Sequence, residues 1–212
     1  MNQNSNPLST QLEEGLMALG ISLPESARKC LLDYCDLLAK WNRTYNLTSI
    51  TEPAQMISYH LLDSLAVLPH LPIGRVIDIG TGPGLPGIPL SIARPEQQFV
   101  LLDSNGKKTR FINQAVGELG LRNVTVINER VENYQPEEKF DVVISRAFAS
   151  INDMLEASVH LVTEKGLFLA MKGKCPHSEI EQLLRGFELI SAVPLTIKGL
   201  DAERHLLMLG RS

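Results

Sequence analysis

The chain has no apolar run approaching the ~20 residues that a membrane-spanning helix requires. Its opening stretch, Met1 to Pro7, holds neither lysine nor arginine and no apolar segment. No spanning helix and no secretory signal are expected, and the reading is a soluble cytoplasmic protein. Cysteine is scarce: Cys30, Cys35 and Cys175 form an odd set whose spacing matches neither a zinc pattern nor a redox pair, so metal chemistry has no support. Cys30 and Cys35 fall in one predicted helix, on different faces, and read as small packing residues. An excess of cations is missing as well. A formal net charge of −4 excludes a protein that coats nucleic acid by bulk electrostatics. A local basic patch stays open, and any RNA contact must rest on where the cations sit. The sequence also shows no internal repeat and no low-complexity segment. What it does have is 212 residues, 44% of them hydrophobic, enough to bury one substantial core.

Two predicted helices come first. Thr10 and Glu13 offer a capping box ahead of Leu12, Leu16 and Leu19, with Gly20 as a stop. Pro24 suits a first helical turn, after which Ala27, Leu31, Tyr34, Leu38 and Trp41 recur at helical spacing. Tyr34 and Trp41 read as packing residues rather than base-stacking platforms. Trp41 to Ser49 reads as a connection and Ala54 to Leu68 as helical again, which gives an amino-terminal helical extension over residues 1–70. Beyond a change of character at Leu71 to Gly74 the pattern becomes α/β. Short apolar runs at Val76–Ile79, Phe99–Leu102, Val124–Ile127, Val142–Ile144 and Leu167–Met171 alternate with helix-length segments, as a mostly parallel, Rossmann-like sheet demands. Phe187–Leu195 and His205–Leu209, joined by a short link, predict a terminal antiparallel hairpin and bring the sheet to seven strands within residues 71–212.

The strongest local signal is Val76-Ile77-Asp78-Ile79-Gly80-Thr81-Gly82-Pro83-Gly84-Leu85-Pro86-Gly87, a buried strand running into a glycine-dense turn. Glycines allow positive φ and close backbone approach to a ligand at the strand's carboxyl end. The spacing of Gly82, Gly84 and Gly87 also satisfies a dinucleotide loop. A pyrophosphate, however, seeks free N–H donors at a helix start, and Pro83, Pro86 and Pro89 each remove one. S-adenosylmethionine has no phosphate and carries a cationic sulfonium, so a turn opened by Asp78 suits it better. Asp103 ends the second strand about twenty residues past the turn, where a carboxylate can accept from both ribose hydroxyls. Either cofactor needs that acid, and a strand-end Asp capping the next helix is the plainer alternative. In Asn128-Glu129-Arg130-Val131-Glu132, Val131 can pack on a purine, while Glu132 either accepts from the purine's amine or sits in a solvated loop.

The fourth strand ends Ser145-Arg146-Ala147-Phe148, without the Asn/Asp-Pro-Pro-aromatic run usual for methylation of exocyclic amines. A cysteine nucleophile for pyrimidine carbon is not at this position either, since Cys175 lies past the fifth strand. Methylation of a ring nitrogen such as guanine N7 needs no base, only positioning and electrostatics. Arg146 is a candidate to pair with the methionine carboxylate or an RNA phosphate, with an internal salt bridge as the alternative. Lys172 shares the same rim, and Arg146 and Lys172 are the candidate catalytic side chains, with no catalytic residue assigned. Lys107, Lys108 and Arg110, together with Lys172 and Arg204, form the candidate RNA-binding set if they share a face.

These pieces resemble the RsmG (GidB) family. The resemblance rests on Asp78 to Leu90, Asn46-Leu47-Thr48, His60-Leu61-Leu62-Asp63-Ser64, Asp103-Ser104 with Lys107-Lys108 and Phe111, Val131-Glu132, Ser145-Arg146-Ala147 and Lys172-Gly173. It extends from about Leu12 to Arg211. It implies a class I methyltransferase fold with a helical extension, and S-adenosylmethionine contacts at Gly80, Leu85, Val131, Glu132 and Arg146. Gly82, Gly84, Asp78 and Asp103 join them from the reading of the turn. It also implies that N7 of a guanine in 16S ribosomal RNA, the one numbered 527 in the usual scheme, receives the methyl, with S-adenosylhomocysteine as product. The substrate is expected within a small-subunit particle, without an obligate protein partner. A nicotinamide-dependent oxidoreductase and a non-catalytic RNA-binding factor that keeps the cofactor fold are the competing expectations.

Overall fold

A computed structural model describes residues 6–146 and 148–212. The first five residues of the chain and Ala147 of the Ser-Arg-Ala run lie outside the described residues. Helix α1 (Pro7–Ala18) is capped by Asn6, whose side chain accepts from the Leu8 N–H at 3.1 Å. The Thr10–Glu13 box is therefore not the cap. Pro7 supplies the fixed φ that the first helical position favours, so the helix starts earlier and encloses Thr10. Helix α2 (Glu25–Tyr45) buries Leu31, Tyr34, Cys35 and Leu38 along one stripe and runs four residues past Trp41 into the expected connection. Asn46, at φ 51°, ends it in the left-handed conformation that Asn tolerates. The next helical stretch is α3 (Pro53–Met56), a π-helical turn over Ile57–Leu62 and α4 (Asp63–Leu65).

The sheet consists of β1 (Val76–Ile79), β2 (Phe99–Leu102), β3 (Val124–Ile127), β4 (Phe140–Ser145), β5 (Val162–Lys172), β6 (Phe187–Pro194) and β7 (His205–Arg211). Their order is β3-β2-β1-β4-β5-β7-β6, with the first five parallel and β7 antiparallel to both β5 and β6. Helices α5 (Gly87–Ala93), α6 (Gly106–Leu119), α7 (Ile151–Ser158) and α8 (His177–Glu181) fill the connections.

Alternation along the strands divides the interior into two layers. Phe99 and Leu101 face a core with α1, α2, α5 and α6, while Val100 and Leu102 face one with α7. The helical extension shares the first layer: a single cluster runs from Leu12 and Leu38 through Phe111 to Val142, Leu169 and Leu206. Trp41 joins it from the side, 5.7 Å from Phe111 and 5.2 Å from Tyr45, ring to ring, in keeping with its reading as a packing residue. The order of strand addition reverses between the parallel β1 and β4, since β2 and β3 lie to one side and β5 to the other. Loops diverge at the carboxyl ends of these two strands, and a crevice opens there.

Candidate active site

The turn after β1 is held from beneath by Asp78. Its Oδ2 accepts from the Thr81 hydroxyl at 2.6 Å and from the Gly87 N–H at 2.8 Å, which fastens both ends of the glycine segment to the strand. The carboxyl is fully buried, and burial pushes its pKa up to about 7 against the opposing pull of those two bonds and of Arg146. Oδ1 has no partner among the described residues. Gly80, Gly82 and Gly84 all have positive φ, at 65°, 64° and 100°, so a Cβ at any of them would strain the turn. Gly82 also has open space where a Cβ would lie. Leu85 is buried under the turn.

Asp103 closes the other wall. Its Oδ2 accepts from the Gly82 N–H at 2.9 Å and its Oδ1 from the Asn105 N–H at 2.8 Å, leaving each oxygen a further lone pair. Asp103 thus belongs to the turn as well as to the strand end, and it is not simply a helix cap: that role falls to Asn105, which accepts from the Lys107 N–H. Lys108 Nζ lies 3.8 Å from Asp103 Oδ2. Val131 is buried against β3 and β4, and Glu132 beside it is exposed. The residues present fit an adenosine: an acid with spare lone pairs for a diol, an apolar wall, and glycine backbone with space above it.

Arg146, at the end of β4, is engaged from within the protein. Its Nη1 donates to the Tyr59 carbonyl and to Asp63 Oδ2, both at 3.1 Å. Arg204 Nε donates to Asp63 Oδ1 at 3.0 Å. Lys172 Nζ donates to the Ala149 carbonyl at 3.0 Å and to Glu179 at 3.3 Å. Arg146, Lys172 and Arg204 line one cavity of about 360 Å³, together with Tyr59, His60 and Asp63. Lys107, Lys108 and Arg110 do not line it and lie in the first two turns of α6, after β2. Cys175 packs half-buried in the second core layer, and Cys35 is buried with its thiol pushed up to about 12, as packing residues are.

Three residues have roles that motif and period in the sequence do not reveal. Tyr34 donates from its buried hydroxyl to the Pro83 carbonyl at 3.0 Å, joining the helical extension to the glycine turn. His60 is buried with Nε2 2.9 Å from the Thr48 hydroxyl and Nδ1 unpartnered among the described residues, and burial followed by Arg146 lowers its pKa to about 4. Asp63 binds two arginines. The only signal for the last two was their place in the string His60 to Ser64.

A mixed sheet in this order, with a glycine turn after β1 and an acid after β2, defines a class I methyltransferase fold. A methyltransferase from Thiobacillus denitrificans, S-adenosylmethionine-dependent and solved with S-adenosylhomocysteine, aligns at a TM-score of 0.52 and 17% identity over 74% of this chain and 73% of that one. The chain belongs to the family of rRNA small subunit methyltransferase G, whose model matches residues 27–207. It is 52% identical over 202 residues to ribosomal RNA small subunit methyltransferase G of Shewanella amazonensis, covering 95% of this chain and 98% of that protein. The counterpart from Chromobacterium violaceum is 50% identical over 199 residues, at 93% and 95% coverage. This membership sets aside the nicotinamide-dependent reading of the glycine spacing.

Proposed function

We propose that the chain methylates N7 of the guanine numbered 527 in 16S ribosomal RNA, working in the cytoplasm on the small-subunit particle and without an obligate protein partner. The observation that carries the reading is the paired clasp of the glycine turn, by Asp78 from below and Asp103 from the side, in a chain of this family. Asp103 accepts from the ribose hydroxyls with its spare lone pairs, and Gly80, Gly82 and Gly84 bring backbone against the nucleoside. Leu85 supports the turn from below and Val131 packs on the adenine, with Glu132 at its edge. Bound S-adenosylmethionine supplies an electrophilic methyl on a sulfonium, leaving as S-adenosylhomocysteine. Guanine N7 offers a free lone pair and has no proton to lose, so the protein's part is to hold and align rather than to abstract. Neutral His60 and the paired cations Arg146 and Lys172 agree with that division of labour.

The test is incubation with labelled S-adenosylmethionine and small subunits from a strain lacking its counterpart. Label in N7-methylguanine of the small-subunit RNA is expected. Label in another base, or none, rejects the proposed substrate.

A further inference from the structure

Two guanidinium groups share one carboxylate at the wall of the 360 Å³ cavity. Asp63 is 1% exposed and uses one oxygen for each arginine. A single ion pair would be closed in charge; this one is not. Lys172 on the same wall is matched by Glu179, so Arg146, Arg204 and Asp63 leave one cation in excess. Among the described residues the bonds of Arg146 run through Nη1 and those of Arg204 through Nε and Nη1, leaving both Nη2 groups for a ligand. His60 lines the same cavity, 4% exposed, with its buried Nδ1 unpartnered among the described residues. Such a wall is built to receive something polar and anionic.

We infer that Asp63 is a positioning residue: its buried carboxylate sets Arg146 and Arg204 side by side as a fork whose excess charge grips a backbone phosphate of the RNA beside the base being methylated. The inference rests on the proposed RNA substrate. Two guanidiniums brought together without a carboxylate between them would repel and spread. With it, each planar guanidinium is tied to one oxygen of the same carboxylate, and both charges are held on one wall where planar forks suit a phosphate. The three residues come from separate parts of the chain, the helical extension, β4 and the start of β7, so the fork also spans the junction between the extension and the sheet.

Asp63→Asn keeps the shape and removes the charge, and Arg204→Ala removes one arm. For each, kcat and KM with small subunits, the salt dependence of RNA binding and the Kd for S-adenosylmethionine are measured. Asp63→Asn is expected to lose at least tenfold in kcat while the salt slope of RNA binding steepens, because the cations remain and are no longer neutralised. Arg204→Ala is expected to flatten that slope by about 0.7, the release of one counterion from single-stranded RNA. A merely structural aspartate would lower the active fraction without touching the slope. Wild-type kcat in Asp63→Asn overturns the inference. So does a Kd for S-adenosylmethionine that rises in step with the lost turnover, which assigns the fork to the methionine carboxylate. Should Asp63→Asn not fold, an unchanged slope in Arg204→Ala rejects the fork by itself. If the wild-type protein labels no RNA, the proposed function fails instead, and the binding slopes still judge the fork.

Discussion

Asp78 and His60 are both buried, and burial shifts each towards its neutral form. Asp78 is raised from 3.8 to about 7, so its share of the stability is complete below pH ~3.8 and is lost as pH rises through 7. His60 is lowered from 6.5 to about 4, so its share is present above pH 6.5 and is lost as pH falls towards 4. Urea unfolding at pH 5, 6 and 7 separates them: Asp78→Asn should gain on the wild type as pH rises, by at most about 1.4 kcal/mol per pH unit. Parallel curves would mean that Asp78 is ionised throughout. Asp103→Asn should weaken S-adenosylmethionine binding at least tenfold by calorimetry, because hydrogen bonds to a charged acceptor are worth about 1.5–3 kcal/mol each. An unchanged Kd would remove Asp103 from the site. Both acids could be read from the sequence because each sits at a fixed place, inside or just after an apolar run. Asp63 could not, because its meaning depends on Arg204, 141 residues away.

Among the elements, α2 joins the extension to the turn through the Tyr34 hydroxyl. Tyr34→Phe leaves the Pro83 carbonyl buried without its donor and should cost about 1–3 kcal/mol in denaturant unfolding, with weaker cofactor binding. Stability within 0.3 kcal/mol of wild type would show the bond to be incidental. The π-helical turn at Ile57–Leu62 sets Tyr59, His60 and Asp63 on the cavity. Removing one residue from it would restore a regular α-helix, leaving the flanking segments nearly in phase but moving Tyr59 and His60 relative to Asp63. Such a deletion should therefore abolish methylation while circular dichroism still reports a helical protein. Every strand was legible from its apolar run. The ends of β4 and β5 were not: Phe140 pairs with Val162 beyond a register shift at Asp141, where the alternation breaks. The π turn was equally hidden, because its period differs from the helical one by a fraction of a residue.

For the whole molecule, the telling fact is that one layer of the core belongs to both the extension and the sheet. The sequence marks a change of character near Leu71, and that change is one of pattern rather than of folding unit: Leu12 and Leu206 lie in the same cluster. Residues 1–70 and 71–212 are therefore expected to unfold together. A chain beginning at Leu71 should show neither a sharp thermal transition nor cofactor binding by calorimetry, whereas two separate transitions in the full chain would argue for independent units. A net charge of −4 beside the candidate cations is visible in composition only as a balance; their placement needed the fold. The shared layer also shapes what genetics would find. Losing one or two kilocalories anywhere in a single cooperative unit lowers the amount of folded enzyme in the cell. A screen for strains that have lost the modification would then collect changes at Leu12 or Leu38, far from any nucleotide, as readily as at the acids of the glycine turn.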